Sequence, residues 1–178
     1  MIRSIQITRT DYRIAWLTAL AITIHIAESA LPSPLPGIKP GLANVVTITT
    51  LVLFGWRLAA WVTVLRVLAG SLLLGTFLSP TFMLSFAGAM GTLVVLRLAS
   101  LVTIRKSPVF GPVGYSVLAA LAHMACQFWT AYVLFVPHAG LYHLLPVLMT
   151  AALIFGIFNG IIVLMIVRQV SESGTPSS

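Results

Sequence analysis

Apolar runs of about the length a bilayer demands follow one another along nearly the whole chain, and most of the basic residues fall in the gaps between them. A spanning helix needs roughly 20 mainly apolar residues. Within hydrocarbon its backbone must satisfy its own hydrogen bonds. Six runs meet or approach that length: 13–31, 42–54, 58–74, 81–102, 113–136 and 142–167. The second is short for a straight span, so it tilts, extends into the preceding loop, or is partly buried by protein. The breaks between runs carry Pro, Gly or charge, as in 32–41, 55–57, 75–80, 105–112 and 137–140.

Composition closes off the alternative of a water-soluble domain. Charged residues make up 7% of the chain and hydrophobic ones 59%, against about 25% charged in an ordinary soluble domain. A chain of 178 residues cannot hide that much apolar surface from water. The expected fold is all-α: an integral membrane bundle of six transmembrane helices over residues 1–170, with a short polar, disordered tail at 171–178.

The net charge of +7 does not point to nucleic acid, because the basic residues are scattered rather than gathered into one patch. They set an orientation instead. With the N-terminus in the cytoplasm, Arg3, Arg9, Arg13, Arg57, Arg105, Lys106 and Arg168 all fall inside, and Arg97 can snorkel to the same face. Lys39 alone of the loop cations falls outside. Both termini are therefore expected in the cytoplasm, in a multi-pass protein of the inner membrane. The first run is expected to be a retained helix rather than a cleaved signal peptide. Glu28 stands where a small neutral cleavage region should be.

Polar residues inside these runs are costly, by about 2.5–3.5 kcal/mol for a central charge on insertion scales. They therefore mark positions facing protein, water or a ligand. His25 and Glu28 lie three residues apart, on one face of the first helix. Glu28 is the sole acid of the membrane region, since Asp11 and Glu172 sit near the ends. It lies either in the outer headgroup zone, solvated or beside Lys39, or in a pocket wall. Arg66 sits in the middle of the third run, nine residues beyond Arg57 and about 13 Å from it along a helix axis. It needs an internal partner, water or an anionic ligand, and Glu28 is the available acid. His123 and Gln127 are four residues apart in the fifth run, again on one face, among the small residues Ala119, Ala122 and Cys126. They serve either as interhelical hydrogen bonds or as part of a site. Asn159 lies between Gly156 and Gly160, a G-x-x-x-G step where helices can approach closely.

The stretch 32-PSPLPGIKPG-41 cannot continue a helix, because Pro32, Pro34, Pro36 and Pro40 forbid it. It forms either an ordinary stiff outer loop or a lid or re-entrant segment with Lys39 and Asn44 pointing into the bundle. Cys126 is a packed small residue and cannot form an internal disulfide. No metal-ligand cluster and no nucleotide-binding Gly-Lys-Ser/Thr pattern is present. The chain has one Asp, so it lacks the acidic cluster that would hold Mg²⁺ against a diphosphate. No nucleophile has an adjacent base. Neither enzymatic activity nor a cofactor is expected.

Three stretches carry a resemblance that covers about residues 15–165: 25-HIAESALPSPLPGIKPGLANVVTI-48, 65-LRVLAGSLLLGTFLSPTFMLSFAGAMGTL-93 and 115-YSVLAALAHMACQFW-129. In that order they resemble the Gx transporter family, also labelled heptaprenyl diphosphate synthase component I. The Lys-x-Gly-Leu-Ala-Asn pattern of that family is matched by Lys39, Gly41, Leu42, Ala43 and Asn44; the Asn that often follows the fifth-helix His is Met124 here. The family is similar in size and layout to the substrate-binding S components of energy-coupling-factor transporters. That resemblance implies a pocket open to the outside beneath a loop. It also implies a transmembrane coupling protein and ATPases as partners, docked through small residues such as Ala15 and Ala19 on the first helix.

Two functions from different classes follow. One is a membrane subunit that captures a small solute from the outer side through His25, Glu28, Lys39, Asn44, Arg66, His123 and Gln127. Two cations against one acid favour an acidic or phosphorylated solute. The other is a membrane subunit associated with heptaprenyl diphosphate or quinone biosynthesis, whose chemistry a partner would supply. A third reading, a membrane anchor of a redox complex, leaves the polar residues to pack helices. An outward-facing cavity lined by the named residues separates the first from the third.

Overall fold

A computed structural model describes residues 8–30, 41–103 and 110–173. They form six helices: α1 (Arg9–Ala30), α2 (Ala43–Phe54), α3 (Trp56–Leu73), α4 (Pro80–Thr103), α5 (Pro112–Leu134) and α6 (Leu145–Ser173), with a 3₁₀ turn over Ala139–Leu144. Each of the six apolar runs is thus a helix, and α6 extends through Ser173 into the stretch read as a tail. Four stretches are long and apolar enough to cross a membrane: Trp56–Leu73, Pro80–Val102, Pro112–Leu134 and Ala139–Glu172. α1 has the length, at 22 residues, but carries charge at both ends. α2, at 12 residues, reaches only about 18 Å, well short of the hydrocarbon core.

The reason α2 can be short is where it sits. Nine consecutive residues, from Ala43 to Leu51, are buried. A helix apolar on all sides and buried on all sides belongs in the middle of a bundle. It packs against α1, α3, α5 and α6. Two of its threonines are satisfied within protein: Thr50 donates to the Val46 carbonyl, and because Thr63 of α3 donates to the Ala59 carbonyl, Thr47 donates to Thr63 Oγ1 at 3.0 Å; the buried Thr49 Oγ1 has no hydrogen-bond partner among the described residues. Such interhelical bonds contribute about 0.6 kcal/mol each. Gly55 alone separates α2 from α3, at φ +85°. A side chain would strain that conformation, so the sharp reversal depends on glycine.

α4, α5 and α6 form the tightest part of the bundle. Gly156 and Gly160 of α6 meet α5 backbone: a Cβ added at Gly160 would lie 2.6 Å from Val113 Cα, and one at Gly156 3.0 Å from Val117 Cα. The G-x-x-x-G step is a close-packing device, as its spacing indicates. Gly91 plays the same part between α4 and α5, where Cys126 Sγ occupies the space a Cβ would need.

The outer surface is apolar. Trp16 is 76% exposed, and Leu73, Val94, Val133 and Phe158 stand out alongside it. Water would penalise such a surface and lipid would not. Arginines gather at one end. Arg13 of α1 lies over the Phe54 ring that closes α2, at 5.1 Å, and Arg97 of α4 lies over Trp56 at the start of α3, at 5.7 Å. These contacts place the start of α1, the end of α2, the start of α3 and the end of α4 at one level. At the same end, Asp11 Oδ2 accepts from the backbone N–H and hydroxyl of Thr8, which holds its carboxyl below the ordinary carboxylate range and caps α1. All-helical architecture, an apolar exterior and a basic end fit a membrane protein.

Candidate functional site

A cavity of about 520 Å³ lies between α1, the start of α2, α3, α4 and α5. The residues that line it come from the end of α1, the beginning of α2, the second half of α3 and the beginning of α4, so it lies away from the basic end. His25, Glu28, Asn44, Arg66, His123 and Gln127 all line it. Six of the seven residues singled out in the sequence thus share one space, and Lys39 lies outside the described residues. The lid or loop stretch 32–40 also lies outside them.

Glu28 is buried, at 5% exposure, and its Oε1 has a specific task. It accepts from the backbone N–H of Gly41 and from that of Leu42, the latter at 3.1 Å. These N–H groups open α2, where no local side chain caps the helix. The carboxylate of α1 therefore does for α2 what a local cap residue usually does, and its negative charge suits the positive end of the helix. Asn159 of α6 holds the other side of the same residue: its Nδ2 donates to the Gly41 carbonyl at 3.4 Å. Gly41 has φ +71°, so the clamped turn also requires glycine. Asn159 is more than packing between two glycines. It ties α6 to the start of α2.

That clamp sets the position of Asn44, the second residue of the helix. Its Oδ1 accepts from Arg66 Nη2 at 3.3 Å. Arg66 is 5% exposed, in the middle of α3, and its side chain forms part of the cavity wall. The sequence left open a direct Arg66–Glu28 ion pair. Among the described residues no carboxylate lies within 4.0 Å of the guanidinium, and Glu28 acts on it only at longer range.

On the opposite wall, α5 presents His123 and Gln127 on one face, as their spacing predicts. Thr92 of α4 donates to the Ala119 carbonyl at 3.2 Å and lies 3.4 Å from His123 Nδ1. The small size of Gly88 makes room for this pair. A Cβ there would come within 2.7 Å of His123 Cε1 and 2.9 Å of Gln127 Cγ. Gly88→Ala should therefore displace both side chains from the cavity, since the clashing atoms belong to the His123 ring and the Gln127 stem rather than to backbone. If the cavity takes a solute through this wall, the loss of about 1 kcal/mol per hydrogen bond weakens its binding roughly fivefold or more. Titration of the variant against wild type checks this, and unchanged binding would show that the His123–Gln127 wall takes no part.

The sequence reading missed a band of hydroxyls. Ser29, Ser71, Thr76, Thr81 and Ser85 line the cavity together with Phe82. A signal existed: Ser71 lies in the Gly-Ser pair beyond Arg66, and Thr81 and Phe82 follow the Ser79-Pro80 turn. Single serines on apolar helices give no sign of which way they face until the helices are packed.

Residues 17–166 match the profile of the family described as heptaprenyl diphosphate synthase component I. The chain belongs to that family. The matched span runs from the first turns of α1 to the last turns of α6 and includes each of the cavity residues named here. No curated protein and no solved structure matches the chain significantly.

Proposed function

We propose that this family member is the solute-capturing membrane subunit of an uptake system, similar to an energy-coupling-factor S component, with six spans and both termini in the cytoplasm. The cavity carries the reading. Its volume of about 520 Å³ falls within the range of small-molecule sites, about 300–1,000 Å³. Polar side chains from five helices converge on it, beside apolar surface from Val67, Leu74, Phe82 and Leu84. Arginines gather at the other end, and under the positive-inside rule that end is cytoplasmic, which turns the cavity outward. In this reading the protein sits in the inner membrane, and a coupling protein with its ATPases supplies the energy. The chain itself performs no catalysis, since its single Asp cannot form a diphosphate–Mg²⁺ site.

The family's name supports a second reading: a membrane subunit of heptaprenyl diphosphate synthesis, with the chemistry on a partner. One experiment separates the two. The full chain is purified gently from membranes, and co-purifying small molecules and proteins are identified by mass spectrometry, beside Ser85→Trp, which fills the cavity. Capture predicts a small solute with the wild-type chain that is lost from Ser85→Trp. A prenyl diphosphate synthase co-purifying equally with both, and no solute with either, would replace capture with the second reading.

A further inference from the structure

We infer that the cavity is an oxyanion receptor, in which the guanidinium of Arg66 takes a carboxylate or phosphate group of the solute; this rests on the capture reading above. Three observations lead there. Arg66 is buried about 15 Å along α3 from its first residue, too deep to reach water at the near end easily. Among the described residues its hydrogen-bond partner is the neutral amide of Asn44. The acid that could neutralise it, Glu28, has an oxygen held by the backbone of Gly41 and Leu42 and makes no contact with the guanidinium.

A buried charge without a contacting counter-ion is expensive, and the cost falls when a partner of opposite sign arrives. Arg offers five N–H donors in a planar fork, and one of them goes to Asn44. The fork fits two oxygens of a carboxylate or phosphate, a geometry a lysine cannot reproduce. Asn44 fixes the guanidinium from the side of α2, so the group is preorganised. The hydroxyls of Thr81 and Ser85 share the space and can donate to further oxygens, while that of Ser71 donates to the Leu68 carbonyl and Phe82 gives an apolar surface for the remainder of the solute. The volume equals about 17 water molecules of liquid, which suits a small organic acid or phosphate ester.

The test uses the detergent-purified full chain and two probes, sodium phosphate and sodium acetate, each titrated at constant ionic strength against chloride. Thermal unfolding is followed for the wild type, Arg66→Gln and Arg66→Lys. The expected result is a saturable rise in Tm with at least one probe, and an apparent affinity at least tenfold weaker in Arg66→Gln. The probe that works tells a phosphate receptor from a carboxylate receptor. Arg66→Lys keeps the charge and guards against a variant that merely fails to fold; it should retain a reduced response. An equal response in wild type and Arg66→Gln would overturn the assignment. A neutral or cationic solute that co-purifies with wild type and Arg66→Gln alike, and is lost only from Ser85→Trp, would overturn it while capture stands. No anion response together with no co-purified solute would overturn both.

Discussion

Glu28→Ala is expected to destabilise the folded chain by about 3 kcal/mol, and Glu28→Gln by about 1 kcal/mol. The alanine leaves the Gly41 and Leu42 N–H groups without their acceptor in a buried place, at a cost of about 1–3 kcal/mol for each unsatisfied donor. Glutamine keeps an oxygen where the carboxylate was. It loses the charge, and hydrogen bonds to an ionised acceptor are about twice as strong as neutral ones. Denaturation of the purified chain in mixed micelles would measure the difference. If the two variants are equally stable, Glu28 does not clamp α2. The consequence for function runs through the same contacts: a loosened α2 start moves Asn44, and Asn44 holds the Arg66 guanidinium. The sequence leaves Glu28 either in the outer headgroup zone or in a pocket wall; it lines the cavity, and its contacts with Gly41 and Leu42 also set where other groups stand.

Gly160→Leu should produce a destabilisation of comparable size, about 1–3 kcal/mol, through overpacking rather than a lost bond. A single Cβ at that position would already sit 2.6 Å from Val113 Cα, and that obstacle is backbone, which cannot rotate away. α6 would have to move off α5 along the most extensive contact in the bundle. Ile157→Leu, on the outward face of the same helix, serves as the control and should stay within about 0.5 kcal/mol. Both variants preserve the apolar character of α6, so membrane insertion should be alike and the comparison isolates packing. If Gly160→Leu and Ile157→Leu are equally stable, the α5–α6 approach is looser than the geometry indicates.

Much of the site was legible because polar residues in apolar helices are so few. His25, Glu28, Arg66, His123 and Gln127 stand out by cost, Asn44 by its place after the Pro- and Gly-rich stretch, and helical spacing pairs His25 with Glu28 and His123 with Gln127. The partners were not legible. Asn159 and Gly41 are 118 residues apart, and no local pattern links them. The role of α2 was likewise open, because a 12-residue apolar helix reads the same whether it is tilted in lipid or enclosed by protein. The hydroxyls that complete the cavity were hidden for a similar reason: a serine costs little on any face of a helix.

Six helices, most of their ends and the side chains out of place in lipid are readable along the chain, although α6 runs past its apolar stretch to Ser173. Those outcomes depend on local hydrophobicity, on Pro and Gly breaks and on the price of a charge in hydrocarbon, all of which are written along the chain. The packing of the helices settles the rest: α2 is enclosed by other helices, Glu28 caps it from α1, and Arg66 meets a neutral amide in place of an acid. These depend on which helices touch and at what height, and helix contacts between similar apolar surfaces are chosen by close packing at small residues such as Gly91, Gly156 and Gly160.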